Sequence, residues 1–521
     1  MIKNPVLPGF HPDPSMINVD GVFYIATSTF EYYPGVKISK SIDLANWETV
    51  SFPLKDKKHI DMKGNPPSTG IWAPCLSYYD GIFYLVYTDV KSWDKIPFKD
   101  TPNYITTTDD IYGEWSDPVY INSSGFDPSL FHDDDGRKYY TNMEWDYREK
   151  DNKNFTGILL TELNRETLQP ISKTIKIYEG TDLGCIEAPH IYKKDGWYYL
   201  FTAEGGTSYQ HAETVARSRN IEGPYETHPN KYIITAYSDK NSPLQKTGHA
   251  SLCQHTDGRW WLAFLCGRPI NESLRCPLGR ETGIAEVIWK EDGWPYLKDG
   301  GLVPPEYFEG YGEQKTMPNI EIEDFGNSEF MREFQSLRIP AKYEIMPEGQ
   351  LRLWGQESLL SIHFQNMLVV RQDCRNFETE VKIEFKPENY RQMAGIIYRY
   401  NEENQYFLRV SWNDSLNKAS VGVLSFDKFD FTMTEAEDEI VVDTTKDIWL
   451  KVSVTGEKAV FSCSNDGKDY LEFSQTGDVT KLSDEYATPL GFTGAFIGML
   501  CIDLDEHTSY ADFKKFTYCR K

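Results

Sequence analysis

Short stretches of alternating apolar and polar residues recur through the first three hundred residues of the chain. Each is followed by Asp-Gly and then by an aromatic-rich stretch, in HPDPSMINVDGVFYIAT, WAPCLSYYDGIFYLVYT, FDPSLFHDDDGRKYYTN, EAPHIYKKDGWYYLFTA and GHASLCQHTDGRWWLAF. Alternation with period two is typical of a half-buried β-strand. Asp-Gly between two such strands predicts a tight two-residue turn with positive φ at its centre. We therefore predict five β-hairpins.

The five hairpins are regularly spaced. Their Asp-Gly aspartates are residues 20, 80, 135, 195 and 257, at intervals of 60, 55, 60 and 62 residues. A repeat of this length fits a four-stranded propeller blade, and repeated blades close into a ring. Later alternating segments such as AGIIYRYNEENQYFLRVSW predict an antiparallel sandwich. We predict an all-β protein, with a five-bladed β-propeller over residues 1–310, a linker over 311–325 and a β-sandwich over 326–521.

Composition narrows the classes of partner. The net charge of −25 argues against nucleic acid and against a membrane surface, because both require clustered Lys and Arg. The N-terminus lacks the apolar segment of a secretory signal, and no apolar run has the length of a membrane helix. Nine scattered cysteines without a CxxC pair indicate free thiols in a reducing compartment. We expect a cytoplasmic protein with a neutral substrate.

The segment PGFHPDPS places Asp13 between two prolines. Pro14 predicts extended backbone at Asp13, and by itself this segment is an ordinary turn. The repeat changes that interpretation, because the position eight residues before each Asp-Gly aspartate lies on an inner strand that faces the propeller axis. Allowing one residue of register, the residues at this position are Asp13, Trp72, Asp127, Glu187 and His249.

Three carboxylates around one axis indicate chemistry rather than packing. Crowded acids raise each other's pKa and cost stability. Paired carboxylates on either side of a sugar are the groups that hydrolyse glycosides. Taken singly, Asp127 could belong to a strand-end turn and Glu187 could be a paired surface acid. Their common register favours a hydrolytic site.

The motifs HPDPS, FDPSLF, EAPHIY and LGRETGIAEVIW resemble those of glycoside hydrolase family 43, in its β-xylosidase branch. The resemblance covers essentially the whole chain, including the C-terminal sandwich. It implies an inverting mechanism, with Asp13 as general base and Glu187 as general acid. Asp127 would orient that acid and keep its pKa high. Inverting acids lie about 6.5–9.5 Å apart, which leaves room for water.

The resemblance also implies roles for two further residues. Arg280 would hydrogen-bond the bound sugar, although an ion pair with Glu281 or with another acid on the rim is an alternative. His249 would lie near the channel axis, where some family members hold a divalent cation through water. A lone histidine is weak evidence for a metal, and it could equally be a core residue. We expect no required cofactor, with a cation such as Ca²⁺ near His249 left open.

Aromatic residues are candidates for the pocket walls, because their faces suit the apolar side of a sugar. The candidates are Phe30, Trp72 and Trp145, each of which could instead be core, and Thr207 could add a hydrogen bond. The resemblance implies that an aromatic of the sandwich closes the pocket mouth. The segment GFTGAFIGM favours Phe496 for this position, with Phe492 second.

A closed pocket admits only a chain end. We therefore expect an exo-acting enzyme that releases xylose from the non-reducing end of β-1,4-xylooligosaccharides. The alternatives are an α-L-arabinofuranosidase or dual enzyme, since the same acids serve both substrates, and a non-catalytic carbohydrate-binding propeller. Family analogy suggests a homo-oligomer, although no sequence feature shows one.

Overall fold

The computed structural model describes residues 1–93, 97–150 and 153–521. Within these ranges the chain is all-β and contains no α-helix. The helical content is three short 3₁₀ segments, Asn271–Ser273, Ser328–Arg332 and Val479–Lys481. No helix in the described ranges is long and apolar enough to span a membrane.

Five four-stranded antiparallel sheets form the predicted propeller. The inner strands of neighbouring blades contact one another around the whole ring, the fifth also contacting the first. From the innermost strand outward, the blades are Ser15–Val19, Val22–Thr27, Lys37–Ser41 and Glu48–Ser51; Gly70–Tyr79, Ile82–Val90, Asn103–Thr108 and Val119–Asn122; Ser129–His132, Lys138–Trp145, Phe155–Leu163 and Ile175–Tyr178; Glu187–Lys194, Trp197–Glu204, Ala212–Ser218 and Glu226–Ile234; and Gln245–Gln254, Trp260–Gly267, Glu281–Trp289 and Pro295–Leu297.

The predicted two-residue turn is present in three blades. Asp20 and Gly21 have φ of 51° and 86°, and the Asp-Gly pairs of blades 2 and 4 are similar. The prediction is wrong for blades 3 and 5, where the strands are joined by residues 133–137 and 255–259. There the aspartate side chain instead accepts a hydrogen bond from the backbone N–H of the arginine two residues later. These two blades therefore carry a longer loop at the same Asp-Gly signal.

A left-handed residue occurs in or just before the inner strand of every blade. These residues are Asp13, Ala73, Asp127, Ala188 and His249, with φ of 55°, 36°, 53°, 51° and 41°. The extended backbone predicted at Asp13 is therefore wrong. Left-handed backbone is uncommon outside glycine and is typical of functional sites. These five positions are equivalent in the five blades. Trp72 and Glu187 therefore each lie one residue before the left-handed position of their blade, which is Ala73 or Ala188.

The C-terminal region is a sandwich of two antiparallel sheets. Strand Ile320–Ile322 pairs with Tyr510–Arg520, so the sandwich begins within the stretch predicted as a linker. One sheet contains Tyr343–Ile345, Leu351–Trp354, Tyr510–Arg520, Asn376–Glu384, Ile448–Thr455, Lys458–Ser464, Leu471–Asp478 and Ile320–Ile322. The other contains Asn366–Arg371, Phe496–Asp503, Gln392–Arg399, Asn404–Asn413, Lys418–Asp427, Asp430–Met433 and Ile440–Val441.

Propeller and sandwich share a continuous buried core. Phe10 and Phe30 of the propeller belong to the same apolar cluster as Phe492 and Phe496 of the sandwich. The strand pair Tyr32–Tyr33 and Ser336–Leu337 joins the two domains directly. The buried Arg338 donates to Glu402 at 2.8 Å and to the Asn65 carbonyl at 2.6 Å. This interface fixes the sandwich loop before Phe496 over the propeller channel.

Candidate active site

A cavity of about 820 Å³ opens at the channel end of the inner strands. Its walls come from all five blades and from the sandwich. All of the predicted site residues except Phe496 line it, namely Asp13, Phe30, Trp72, Asp127, Trp145, Glu187, Thr207, His249 and Arg280. The three carboxylates therefore meet in one pocket, although they lie on three different blades.

Asp13 is buried and held by charged and polar partners. Ser28 Oγ donates to Asp13 Oδ2 at 2.6 Å, and Arg280 Nη1 donates to Oδ1 at 3.1 Å. Burial alone would raise the pKa of Asp13, but Arg280, His249 and Ser28 together hold it below its ordinary value. Asp13 is therefore an ionised carboxylate at neutral pH. Ser28 Oγ also accepts from the backbone N–H of Ala73 at 2.7 Å, which joins the left-handed residues of blades 1 and 2.

Glu187 and Asp127 have the opposite protonation tendency. Burial raises the pKa of Glu187 to about 8, and the charge of Asp13 adds to this while Arg280 opposes it. Burial also raises the pKa of Asp127 well above its ordinary value, with further repulsion from Glu187 and Asp13. The pocket therefore contains an ionised carboxylate and a protonated carboxyl group at neutral pH.

The predicted effect of Asp127 on the pKa of Glu187 is not among the causes that raise that pKa. The causes that raise the pKa of Glu187 are burial and Asp13, whereas the repulsion between Asp127 and Glu187 acts on the pKa of Asp127. The role of Asp127 as modulator of the acid stays a prediction.

His249 lies beside Asp13, with Nδ1 at 3.3 Å from Asp13 Oδ1. Burial lowers the pKa of His249, so the ring is neutral and Nδ1–H can donate to the carboxylate. In the described part of the chain, no group of three or more His, Cys, Asp or Glu could hold a metal ion. Ca²⁺ takes six to eight oxygen ligands. The described side chains do not supply that set, and a water-mediated cation near His249 stays a prediction.

Arg280 is a buried connector rather than a rim residue. Besides Asp13, its Nη1 donates to Thr207 Oγ1 at 3.0 Å and its Nη2 to the Phe492 carbonyl at 2.9 Å. The alternative ion pair with Glu281 is absent, because Glu281 accepts two hydrogen bonds from Arg268. Arg280 therefore links the predicted base, blade 4 and the sandwich loop.

The sandwich contributes Phe492 to the pocket, so the prediction of Phe496 is wrong and the second choice is correct. Phe496 begins a core strand, is 0% exposed and stacks on Tyr32 with ring centroids 3.7 Å apart. Phe492 lies in the preceding loop, with its ring 5.4 Å from that of Trp72 and 6.1 Å from that of Phe30. Its backbone N–H donates to Ser68 Oγ at 3.2 Å. Backbone contacts on both sides of Phe492 hold it at the mouth.

Several residues at the pocket were not predicted from the sequence. Trp93 lines the cavity, with its ring 4.7 Å from that of Trp72 and 5.2 Å from that of Phe492. Phe126 lines it directly before Asp127. Trp93 follows the second strand of blade 2 at the end that meets the pocket, and Ser28 follows the second strand of blade 1 in the same way. This recurrence is the signal that could have identified both residues.

Comparison with known proteins matches both parts of the chain. A family model described as glycosyl hydrolases family 43 covers residues 2–295. A second model, described as the β-xylosidase C-terminal concanavalin A-like domain, covers residues 322–519. The two matches correspond to the propeller and to the sandwich.

Full-length relatives have the same arrangement. A β-xylosidase of Bacillus subtilis (strain 168) is 44% identical over 543 residues, covering 100% of both chains. Xylosidase/arabinosidase 43B of Humicola insolens is 43% identical over 99% of this chain and 97% of its own length. The crystal structure of a xylan β-1,4-xylosidase from Bacillus halodurans C-125 superposes with a TM-score of 0.95 at 44% identity, covering 100% of each chain.

Proposed function

The chain belongs to glycosyl hydrolase family 43, and on that premise we propose that it is an inverting, exo-acting β-xylosidase. Its proposed substrates are β-1,4-xylooligosaccharides, from which it releases xylose at the non-reducing end. The observation that carries the proposal is the opposite protonation of two carboxyl groups in one pocket. Asp13 has a lowered pKa and Glu187 a pKa raised to about 8.

Asp13 acts as the general base. Its carboxylate accepts a proton from a water molecule as that water attacks the anomeric carbon of the bound sugar. The Ser28 hydroxyl and Arg280 hold the two carboxylate oxygens in fixed directions, which orients the base toward the pocket. Since the nucleophile is water rather than Asp13, no covalent glycosyl-enzyme intermediate forms.

Glu187 acts as the general acid. Its proton is transferred to the glycosidic oxygen as the bond to the anomeric carbon breaks. A general acid must stay protonated at the working pH, and a pKa of about 8 meets that requirement at neutral pH. We propose that Asp127 orients this acid and helps to keep its pKa high, because the charge of Glu187 raises the pKa of Asp127 and the two carboxyl groups therefore interact in the pocket.

The shape of the pocket supports exo action. Phe30 and Trp72 form one wall, and Phe492 and Trp93 cover it from the sandwich and from blade 2. Aromatic faces pack against the C–H side of a pyranose ring, while Arg280 and Thr207 offer polar contacts. A pocket closed by the sandwich admits the end of a chain rather than its middle.

α-L-Arabinofuranosidase activity is the second candidate. The Humicola insolens relative is named as a xylosidase and arabinosidase, and a Bacteroides ovatus relative 31% identical over 99% of this chain is named as an α-L-arabinofuranosidase. The same acid and base serve both substrates if their anomeric carbons lie alike in the pocket. A cytoplasmic location and a homo-oligomeric state stay predictions.

Nitrophenyl β-D-xyloside and nitrophenyl α-L-arabinofuranoside, assayed side by side with xylobiose, test the assignment. We expect kcat/KM to be highest on the xyloside, and xylose to be the sole product from xylobiose. A large excess of rate on the arabinoside would replace the xylosidase assignment with the second candidate. Binding of xylobiose without turnover by the wild-type protein would contradict both.

A further inference from the structure

A second cavity lies at the junction of propeller and sandwich. Its volume is about 660 Å³, and none of its lining residues lines the catalytic pocket. It is bounded by the N-terminal segment, two outer strands of blade 1, residues 314–322 and the end of strand Asn366–Arg371. We call it the junction cavity.

Two buried cations line the junction cavity. Lys37 is 8% exposed and Arg371 is 7% exposed, and both line the cavity. Arg371 donates from Nε to the Phe10 carbonyl at 2.7 Å, but its Nη2 has no hydrogen-bond partner. Within the described residues, the Lys37 ammonium has neither a hydrogen bond nor an ion pair.

The nearby acids act on these two cations only at a distance: the charge of Glu333 raises the pKa of both, that of Asp373 raises the pKa of Lys37, and neither acid makes an ion pair with them among the described contacts. Asp373 is engaged by Arg520, which donates to both of its carboxylate oxygens. Glu333 is exposed and makes no ion pair with Lys37 or Arg371 among the described contacts. Glu48 pairs with Lys40. The inner end of the junction cavity is therefore positive.

A buried pair of cations without an ion-pair partner is costly, because each has lost hydration without gaining a directly bound counter-charge. Burial, and then the charge of Arg371, lower the pKa of Lys37 to about 7, although the charges of Glu333 and Asp373 oppose this. The chain as a whole has 79 acidic and 54 basic residues, so acids were abundant for this position. A counter-charge from outside the chain explains the arrangement.

His11 adds an acceptor to the same cavity. Its Nδ1 lies 3.0 Å from the Pro8 carbonyl, which can only accept, so Nδ1 carries the proton. Burial and the two nearby cations lower the pKa of His11, which leaves the ring neutral. Nε2 is then an unprotonated acceptor, and it is buried without a partner. The cavity thus offers cationic donors beside one acceptor.

We propose that the junction cavity binds a small oxyanion that carries a hydroxyl group, of the hydrogen phosphate class. Lys37 and Arg371 donate to its charged oxygens, and its hydroxyl donates to His11 Nε2. A dianion would neutralise both cations. The cavity volume of about 660 Å³ also leaves room for a substituent on the anion.

Isothermal titration calorimetry of the full-length protein with inorganic phosphate at pH 7 and constant ionic strength tests the proposal. Sulfate is the matched probe, since it has a similar size and charge but no hydroxyl. We expect saturable phosphate binding at one site, weaker sulfate binding, and no saturable effect of chloride. Sulfate binding as tight as phosphate would overturn the assigned role of His11. Absence of saturable phosphate binding would overturn the site.

Lys37→Met is the principal variant, and Lys315→Met on the exposed rim of the same cavity is its charge-matched control. We expect Lys37→Met to weaken phosphate binding at least about tenfold, as loss of a charged hydrogen bond implies, and Lys315→Met to change it less than twofold. Equal binding by Lys37→Met and wild type would contradict the proposal.

Thermal unfolding gives an independent reading of the same site. A ligand that binds only the folded state raises Tm with its concentration. Phosphate should raise the Tm of wild type but not that of Lys37→Met. Without phosphate, Lys37→Met should be at least as stable as wild type, because a buried unpaired charge has been removed.

If Lys37→Met fails to fold, Arg371→Lys is the second variant. It keeps the positive charge but loses the paired N–H donors of the guanidinium group, so it should bind phosphate more weakly. Phosphate affinity unchanged in Arg371→Lys would remove Arg371 from the site.

Discussion

The propeller and the sandwich contribute to the catalytic pocket in different ways. The propeller supplies Asp13, Asp127, Glu187 and His249 from or beside left-handed positions in or just before the inner strands of four blades. The sandwich supplies one loop, whose Phe492 is held by backbone hydrogen bonds to Ser68 and Arg280. The propeller thus carries the reacting groups and most of the pocket wall, while the docked sandwich completes that wall with Phe492. Substitutions in the two regions should consequently change different kinetic parameters.

Asp13→Asn should have the largest effect, because it removes the base while keeping its shape and the Ser28 contact. We expect kcat/KM on xylobiose to fall roughly a thousandfold, within the range for loss of a general base, with xylobiose binding retained. Steady-state kinetics and calorimetric titration measure the two quantities. Asp20→Asn in the exposed blade 1 turn is the control. Turnover within tenfold of wild type would exclude Asp13 as the base.

Glu187→Gln should be nearly as severe on xylobiose, and milder on a substrate that needs less protonation. We expect a loss of roughly a hundredfold or more on xylobiose and a smaller loss on nitrophenyl xyloside, whose leaving group departs without help from an acid. Comparing kcat/KM on the two substrates measures the difference. Equal losses on both would argue against Glu187 as the acid.

The pH profile links both groups. Wild-type kcat/KM should fall on the basic side near pH 8, where Glu187 loses its proton, and on the acidic side only below the ordinary range of an aspartate, where Asp13 gains one. Asp127→Asn should lower activity by roughly ten- to a hundredfold and move the basic limb to lower pH, because mutual repulsion is lost. An unmoved limb would show that burial and Asp13 set the pKa of Glu187 without Asp127.

Two phenylalanines of the sandwich separate shape from stability. Phe492→Ala should raise KM for xylobiose roughly tenfold with a smaller change in kcat, since it removes an apolar wall. Phe496→Ala should leave KM nearly unchanged but reduce the free energy of unfolding by about 3–5 kcal/mol, as expected for a fully buried ring. Kinetics and denaturant unfolding of both variants test this. The reverse pattern would restore Phe496 to the pocket.

The propeller was predictable because five Asp-Gly signals recur at one spacing, and each local choice agrees with the same fold. The backbone at the pocket was not predictable. Pro14 argues for an extended Asp13, yet the ring holds it at φ 55°. The longer loops of blades 3 and 5 carry the same Asp-Gly pair as the tight turns. Such details are set by tertiary contacts, which override local preference.

The candidate carboxylates could be found from register, since a one-residue error still reaches the channel end of each strand. Phe492 and Phe496 could not be ranked, because both are aromatic and only the loop geometry separates them. The junction cavity was invisible in the sequence for a similar reason. Lys37 and Arg371 belong to different domains, and they line the same cavity only once the propeller and the sandwich have packed together.

The anomer of xylose that is first released from a β-xyloside tests the inverting mechanism most directly. Inversion requires that a water molecule activated by Asp13 attacks the anomeric carbon from the side opposite the leaving oxygen, which Glu187 protonates. Proton NMR during the first minutes of wild-type turnover follows both anomers before they equilibrate. We expect α-xylose to form first and β-xylose to appear only by mutarotation. Initial release of β-xylose would contradict the inverting mechanism.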